Sequence, residues 1–537
     1  MQKFDYIIVG AGSAGCVLAN RLTANGQHSV LVLEAGGSDK RFWIQVPIGY
    51  GKTYYQKAVN WMYQTEPVAG LQGRASYWPR GKVLGGSSSI NAMVWIRGNA
   101  KDYDDWAARG NPGWSYQDVL PYFKKSETNH FGEVGYRGES GPVYINDTSQ
   151  DLHPLCHTFL AAGEQLGEQR NYDLNGSSQE GVGFFQINTK NGMRMSMAKA
   201  YLHPALKRPN LTLTSKAHVC RILFEGKTAI GVEYLRNGKK EQVLASKEVI
   251  LSGGAINSPQ LLQLSGVGPE EVLKPLDIEV VCKSPAVGRN LQDHLGMDYL
   301  YTSTKPTLND ELHPWWGKLL AGIKYALTRR GPLSLSVNQA GGFIKTRPEL
   351  EQPDIQLYFS PVSYTRAPVG KRPLMNPDPF SGFLLGLSNC RTTSRGYLQV
   401  KSKDPLQAPL IQPNYLSTDE DVQTLLAGVK YLRKMAQTEA FKEVIVDEIR
   451  PGPDYVTDEQ LIDDIRSYAW TVFHPSSTCR MGPNPDESVV DHQLKVHGVE
   501  RLRVCDASIF PELISGNTNA PTIMVAEKGA DLILADA

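Results

Sequence analysis

No apolar run in this 537-residue chain is long enough to cross a bilayer. The longest, as in YIIVG and EVILSGGA, are strand-sized, so no membrane-spanning helix is expected. Cysteine is scarce: Cys16, Cys156, Cys220, Cys282, Cys390, Cys479 and Cys505 are odd in number and never spaced C-x-x-C. That pattern argues against a disulfide framework and suits a reducing compartment. Charge of one sign is also missing. Lys and Arg number 56 against 55 Asp and Glu, a net charge of +1, so no basic field invites nucleic acid. There is no repeat, no low-complexity tract and no signal-peptide pattern, because strand text begins within four residues of Met1. A cytoplasmic location is expected. His153 and His157 are four apart, but Pro154 lies between them and no third ligand is evident, so no metal site is expected.

What is present begins at once. FDYIIVG (Phe4–Gly10) reads as a buried strand. It enters Gly10-Ala11-Gly12-Ser13-Ala14-Gly15, then the amphipathic run CVLANRL, then the strand SVLVLEAG with Glu34 near its end. This is a dinucleotide fingerprint in its full context of strand, glycine turn, helix, strand and acid. Gly10 permits the sharp turn, Gly12 the approach of a pyrophosphate, and Gly15 the close packing of helix on strand. The helix start offers free N–H groups and a favourable dipole to phosphate. Glu34 suits an adenosine ribose and opposes a 2′-phosphate, which disfavours NADP. FAD and NAD share the ADP half, and the fingerprint leaves that choice open.

Further along, DYDDWAARG and SYQDVLPYFKKSE read as helices, and residues 211–251 as a β-meander with a hairpin turn at Asn237-Gly238-Lys239. GGAINSPQLLQLSGVG is a second glycine turn into a helix. Residues 297–467 shift to antiparallel-type strands, Pro-rich loops and the helical run DVQTLLAGVKYLRKMAQ. The tail has the same character as the N-terminal region. LRVCDAS reads as another strand of the N-terminal parallel sheet, and APTIMVAEKGADLILA as a helix with Pro521 tolerated in its first turn.

Four segments together resemble the glucose–methanol–choline (GMC) oxidoreductase family, over essentially the whole chain. They are Gly81-Lys-Val-Leu-Gly-Gly-Ser-Ser-Ser-Ile-Asn91 with Trp95, Gly98 and Asp104; Gly254–Gly268; Phe473-His474-Pro475 through Cys479-Arg480-Met481-Gly482; and Gly516-Asn517-Thr518-Asn519-Ala520-Pro521. The resemblance implies FAD. It also implies an α/β fold with a discontinuous Rossmann-like FAD-binding domain (1–152, 201–296 and 468–537). The remainder (153–200 and 297–467) would be an α+β substrate-binding domain with an antiparallel sheet. The position before Asn91 is a histidine in members that bind flavin covalently; here it is Ile90, so noncovalent FAD is expected.

The implied chemistry is oxidation of a primary alcohol to an aldehyde, with hydride transfer to flavin N5 and proton abstraction by His474. Histidine is the side chain whose intrinsic pKa, about 6.5, lies near working pH. Asn517 matches the second active-site position and would hold the substrate oxygen. By the same resemblance the FAD contacts are Gly10, Gly12, Ser13, Ala14, Glu34, Ala35, Leu84, Gly86, Asn91, Met93, Val94, Val219, Asp506, Ala507, Asn517 and Thr518. Trp315 and Trp316 are candidate faces for a quaternary ammonium. Gln339, where choline-type relatives carry a glutamate, tips the expectation toward an uncharged alcohol. Choline dehydrogenase and a dioxygen-using alcohol oxidase remain alternatives, as do a flavin-holding lyase and a flavin sensor. The expected partners are a small alcohol and a quinone or other electron carrier. Peripheral contact with the inner face of the cytoplasmic membrane stays open.

Overall fold

The computed structural model describes residues 2–364 and 376–537. Strand β1 (Lys3–Val9) leads into helix α1 (Ser13–Leu22) and strand β2 (Val30–Glu34). After an excursion that includes β3 (Gly181–Phe184), the chain returns as β4 (Leu211–Ser215). The antiparallel trio β5 (Ala217–Glu225), β6 (Thr228–Arg236) and β7 (Lys239–Leu251) follows, then helix α2 (Gly254–Leu264). A second excursion holds β8 (Leu295–Ser303), helix α3 (Trp315–Thr328), β9 (Ala340–Ile344), β10 (Ile355–Ser360) and β11 (Gly382–Asn389). It continues with helix α4 (Asp419–Ala436), β12 (Ile445–Arg450) and β13 (Trp470–Thr471). The chain closes with β14 (Leu502–Val504) and helix α5 (Asn519–Ala535).

Two sheets result. The first runs β4-β2-β1-β7-β6-β5, with β14 beside β7. Its β4, β2, β1, β7 and β14 are parallel, and β7, β6 and β5 antiparallel. All five residues of β2 are buried, as an unbroken VLVLE run in a parallel sheet should be. The second sheet is antiparallel, in the order β12-β8-β11-β10-β9-β3, with β13 on β8. Two of its strands reach past the expected segment limits, since β8 begins at Leu295 and β13 lies at 470–471. Helix α4 covers it with Val422, Leu425, Leu426, Val429 and Leu432, the spacing of one helix face. The α/β architecture with an added antiparallel sheet is thus the expected one.

The expected meander is shorter than 211–251, because residues 211–215 are not part of it. β4 pairs in parallel with β2 at the sheet edge, because the chain turns at Lys216, whose φ is 55°, and its N–H bonds Gly36 O at 2.9 Å. The meander proper is β5–β7, with left-handed Asn237 and Gly238 making the β6–β7 turn. β14 joins β7 in parallel, as LRVCDAS implied. All seven cysteines are buried and unpaired.

Candidate active site

One continuous cavity runs from the mouth of β1 and β2 to the boundary of the two sheets. At its first end the backbone does the work. Gly10 has φ +102°, and a Cβ there would meet Ser252 O at 2.5 Å. A Cβ on Gly15 would sit 1.9 Å from Gly10 O, so helix and strand touch through bare backbone. Gly12 differs: its Cβ would meet only Ser252 O, at 3.9 Å, and the residue faces the cavity. No side chain caps the start of α1, which leaves its N–H groups aimed at open space. Glu34 is buried and lines the same end. Its two oxygens accept from Ala11 N (2.8 Å) and Gly36 N (2.7 Å); burial pushes its pKa up, and those two bonds oppose the rise.

A second helix start converges there. Ser13 Oγ donates to Asn519 Oδ1 at 2.7 Å, tying α1 to the first turn of α5. α5 is likewise uncapped by a side chain, and Asn519 Nδ2 is a buried donor on the cavity wall with no partner among the described residues. Two uncapped helix starts, an unanswered amide donor and a carboxylate at the end of β2 fit the pyrophosphate and ribose of FAD.

Ser13, Ala14, Ala35, Gly86, Asn91, Met93, Val94, Val219, Asp506, Ala507, Asn517 and Thr518 all line this cavity, as do Gly10, Gly12, Glu34 and His474. Leu84 does not. It is packed in the core beside β1 and α1, and only its backbone is engaged, with Gly37 and Ser89. Asp506 arrives with its carboxylate committed to Gly254 N (2.8 Å), Ser258 Oγ (2.6 Å) and Ser508 N (2.8 Å). It holds the start of α2. Met93 has φ 64°, a costly conformation for a methionine. Asn91 Oδ1 accepts from its N–H (3.2 Å) and from the buried Arg194 guanidinium (2.8 Å).

At the other end His474 is buried in a chain of side-chain hydrogen bonds. Its Nδ1 lies 2.9 Å from His294 Nδ1, and His294 Nε2 lies 2.9 Å from Cys390 O. The carbonyl only accepts, so His294 carries its proton on Nε2. Burial drives the His294 pKa down to about 4, so the ring is neutral and its Nδ1 bare. His474 therefore donates through Nδ1–H and keeps an unprotonated Nε2. Asn517 Nδ2 donates to that Nε2 at 3.2 Å, while Asn517 Oδ1 accepts from Gln356 Nε2 at 3.3 Å. Burial, then His294 and Arg80, hold the His474 pKa well below the usual histidine range.

The backbone is fixed as firmly. Asp293 accepts from His474 N (2.7 Å), Thr471 Oγ1 (2.5 Å) and Tyr415 OH, and burial raises its pKa to about 6. Arg80 reaches Phe473 O at 2.5 Å and helps pin a residue with φ 68°. His294, Asp293, Arg80 and Asn519 join the site through contacts that the sequence alone does not reveal. His294 is 180 residues from His474 in the chain, and no spacing signals that contact.

Neither Gln339 nor the Trp315–Trp316 pair takes the substrate role expected of it. Gln339 is buried away from the cavity, its Oε1 accepting from His153 N at 2.8 Å, so it cannot set the charge of the substrate pocket. Trp315 and Trp316 stand in solvent on α3, 76% and 53% exposed, and are not among the cavity-lining residues. The cavity that His474 lines also carries Tyr50, Tyr54, Tyr358, Tyr364, Trp470 and Phe473, with Asp298 among them.

A parallel sheet holding a glycine turn at one end of a cavity, and a histidine–asparagine pair at the other, defines a dinucleotide-binding oxidoreductase. Its family is shown by comparison. GMC oxidoreductase sequence profiles match residues 4–296 and 392–526. The chain belongs to the GMC oxidoreductase family and uses FAD. It is 47% identical over 543 residues to an oxygen-dependent choline dehydrogenase of Pseudomonas putida, covering 99% of this chain and 94% of the relative. It is 44% identical over 535 residues to an alcohol dehydrogenase [acceptor] of the same species, covering 99% and 96%. Pyridoxine 4-oxidase from Mesorbium loti superposes with a TM-score of 0.88 at 30% identity, over 98% of each chain. A formate oxidase gives 0.93 at 27% identity, over 100% of this chain and 98% of that one.

Proposed function

We propose that this enzyme oxidises a primary alcohol to the aldehyde with His474 as general base. The observation that carries the reading is the bare Nε2 of His474, on the cavity wall and beside the Asn517 amide. Bound FAD supplies the acceptor for the hydride that leaves the carbinol carbon. The alcohol displaces the Asn517 amide from Nε2 and places its hydroxyl there, and Nε2 takes the hydroxyl proton. The freed Asn517 N–H turns to the substrate oxygen and stabilises the negative charge that develops on it. His294 keeps the His474 ring in the tautomer that can act. Because burial disfavours imidazolium at His474, the proton is held only transiently, and its release resets the base.

FAD is held noncovalently in this reading. Ile90 lines the cavity where covalent members carry histidine, and a hydrocarbon offers no nucleophile. The aromatic lining supports an uncharged alcohol. Asp298 within that lining, together with the relatives named choline dehydrogenase, supports choline as the second reading. Electrons leave to a quinone or another carrier, and the enzyme works in the cytoplasm, free or at the inner face of its membrane.

Purified enzyme offered aliphatic alcohols, aryl alcohols and choline, with oxygen or a quinone-type dye, tests this. Flavin bleaching with one alcohol class and dye reduction without peroxide are expected. No bleaching by any of them would overturn the reading in favour of a lyase or sensor.

A further inference from the structure

Helix α3 is built inside out. Only Gly317, Ala321 and Tyr325, four apart, are buried against the protein. The large apolar residues face the other way: Trp315, Trp316, Leu319, Leu320, Ile323 and Leu327 are all exposed, Leu327 by 80%. At about 100° per residue they fall in a single arc of roughly 140°, opposite the packed stripe. A globular protein normally turns such a stripe inward, and contiguous exposed apolar surface marks a docking site.

The charges indicate what docks. The helix has no acidic residue. Lys318 and Lys324 stand at the two edges of the arc and Arg329 follows its end, all exposed, while Arg330 beyond it pairs with Asp151 at 3.6 Å. Net charge over the whole chain is only +1, so this cationic rim is local. Two tryptophans at one end, an apolar face and flanking lysines are the chemistry of a helix lying in a lipid headgroup region. At 14 residues it is about 21 Å long, short of the roughly 30 Å a bilayer core requires.

We propose that α3 is a monotopic anchor that lies flat on an anionic bilayer. The surface deepens the membrane contact proposed for this enzyme and rests on that contact, not on the alcohol chemistry. The turn Pro332–Ser334 packs on α3, and Val337 and Asn338, just beyond it, line the cavity.

The test is sedimentation of the FAD-loaded enzyme with phosphatidylcholine vesicles, with or without phosphatidylglycerol. Wild type should sediment with the anionic vesicles and weakly with the neutral ones. Leu320→Glu with Ile323→Glu should weaken binding at least about tenfold. Lys318→Glu with Lys324→Glu should abolish the preference for phosphatidylglycerol. Both pairs should keep their flavin content and their turnover of a water-soluble alcohol with a soluble dye. The proposal falls if wild type stays in the supernatant, if the Leu320/Ile323 variant sediments like wild type, or if neutral vesicles bind equally well. It falls too if that variant instead dissociates a dimer seen by light scattering, without vesicle binding in wild type. In each case turnover still reports separately on the alcohol reading.

Discussion

His474 is an ordinary residue placed in an unusual position. Its neighbours leave it neutral, with one nitrogen committed to His294 and the other presented to the cavity. His474→Ala should lower kcat/KM by about 10²–10⁴-fold while the flavin spectrum persists. The pH dependence follows from the shift. The basic form is the neutral one, and the folded pKa lies below 6.5. Activity should therefore be flat from neutral pH down through 6.5 and fall only at lower pH. An acid limb centred at or above 6.5 in kcat/KM would contradict the buried, neutral His474. His294 acts through His474. His294→Ala removes the acceptor for Nδ1–H and should lower kcat about tenfold or more with little change in KM. His294→Gln, whose amide oxygen can accept that bond, should recover part of the loss. Equal defects in the two variants would mean that His294 only fills space.

The element that most shapes the cofactor end is the β1–α1 turn, and its glycines divide by task. Gly15 is a packing residue, since its Cβ would overlap Gly10 O. Gly15→Ala should cost about 1–3 kcal/mol or more and lower the melting temperature of the FAD-free protein itself. Gly12 has φ −76° and ψ −161°, a conformation alanine adopts, and near-open space around its missing Cβ. Gly12→Ala should leave the FAD-free protein about as stable, within roughly 0.5 kcal/mol, yet weaken FAD binding. Thermal melts with and without added FAD separate the two. α5 mirrors α1: both begin uncapped on the cavity, bridged by Ser13 and Asn519. Ser13→Ala should therefore loosen FAD by removing the brace between two helix starts.

Across the whole molecule the cofactor cavity is shared by distant parts of the chain, from Val9 to Thr522. A ligand that binds only the folded state stabilises it by mass action, about 2.7 kcal/mol at a hundredfold excess over Kd. Free FAD should thus raise the melting temperature of stripped enzyme in a concentration-dependent way. Acid precipitation should release the flavin into the supernatant, because no nucleophile replaces Ile90; flavin in the pellet would contradict this.

Much of this was legible in the residues alone. The strand–glycine–helix–acid run, the second glycine turn and the closing Gly516–Pro521 segment are local patterns, set by backbone sterics and short-range periodicity. They carry the dinucleotide class by themselves; FAD, the two-sheet architecture and the roles of His474 and Asn517 came from the resemblance of four segments to the GMC family. Only the tertiary structure decided the rest. It chose the tautomer of His474, because that depends on a ring 180 residues away. It kept Leu84 and Gln339 out of the cavity and turned the apolar side of α3 outward, because the direction of a side chain depends on what packs behind it. A sequence states which groups exist and in what rhythm; contacts between remote segments determine which way they face.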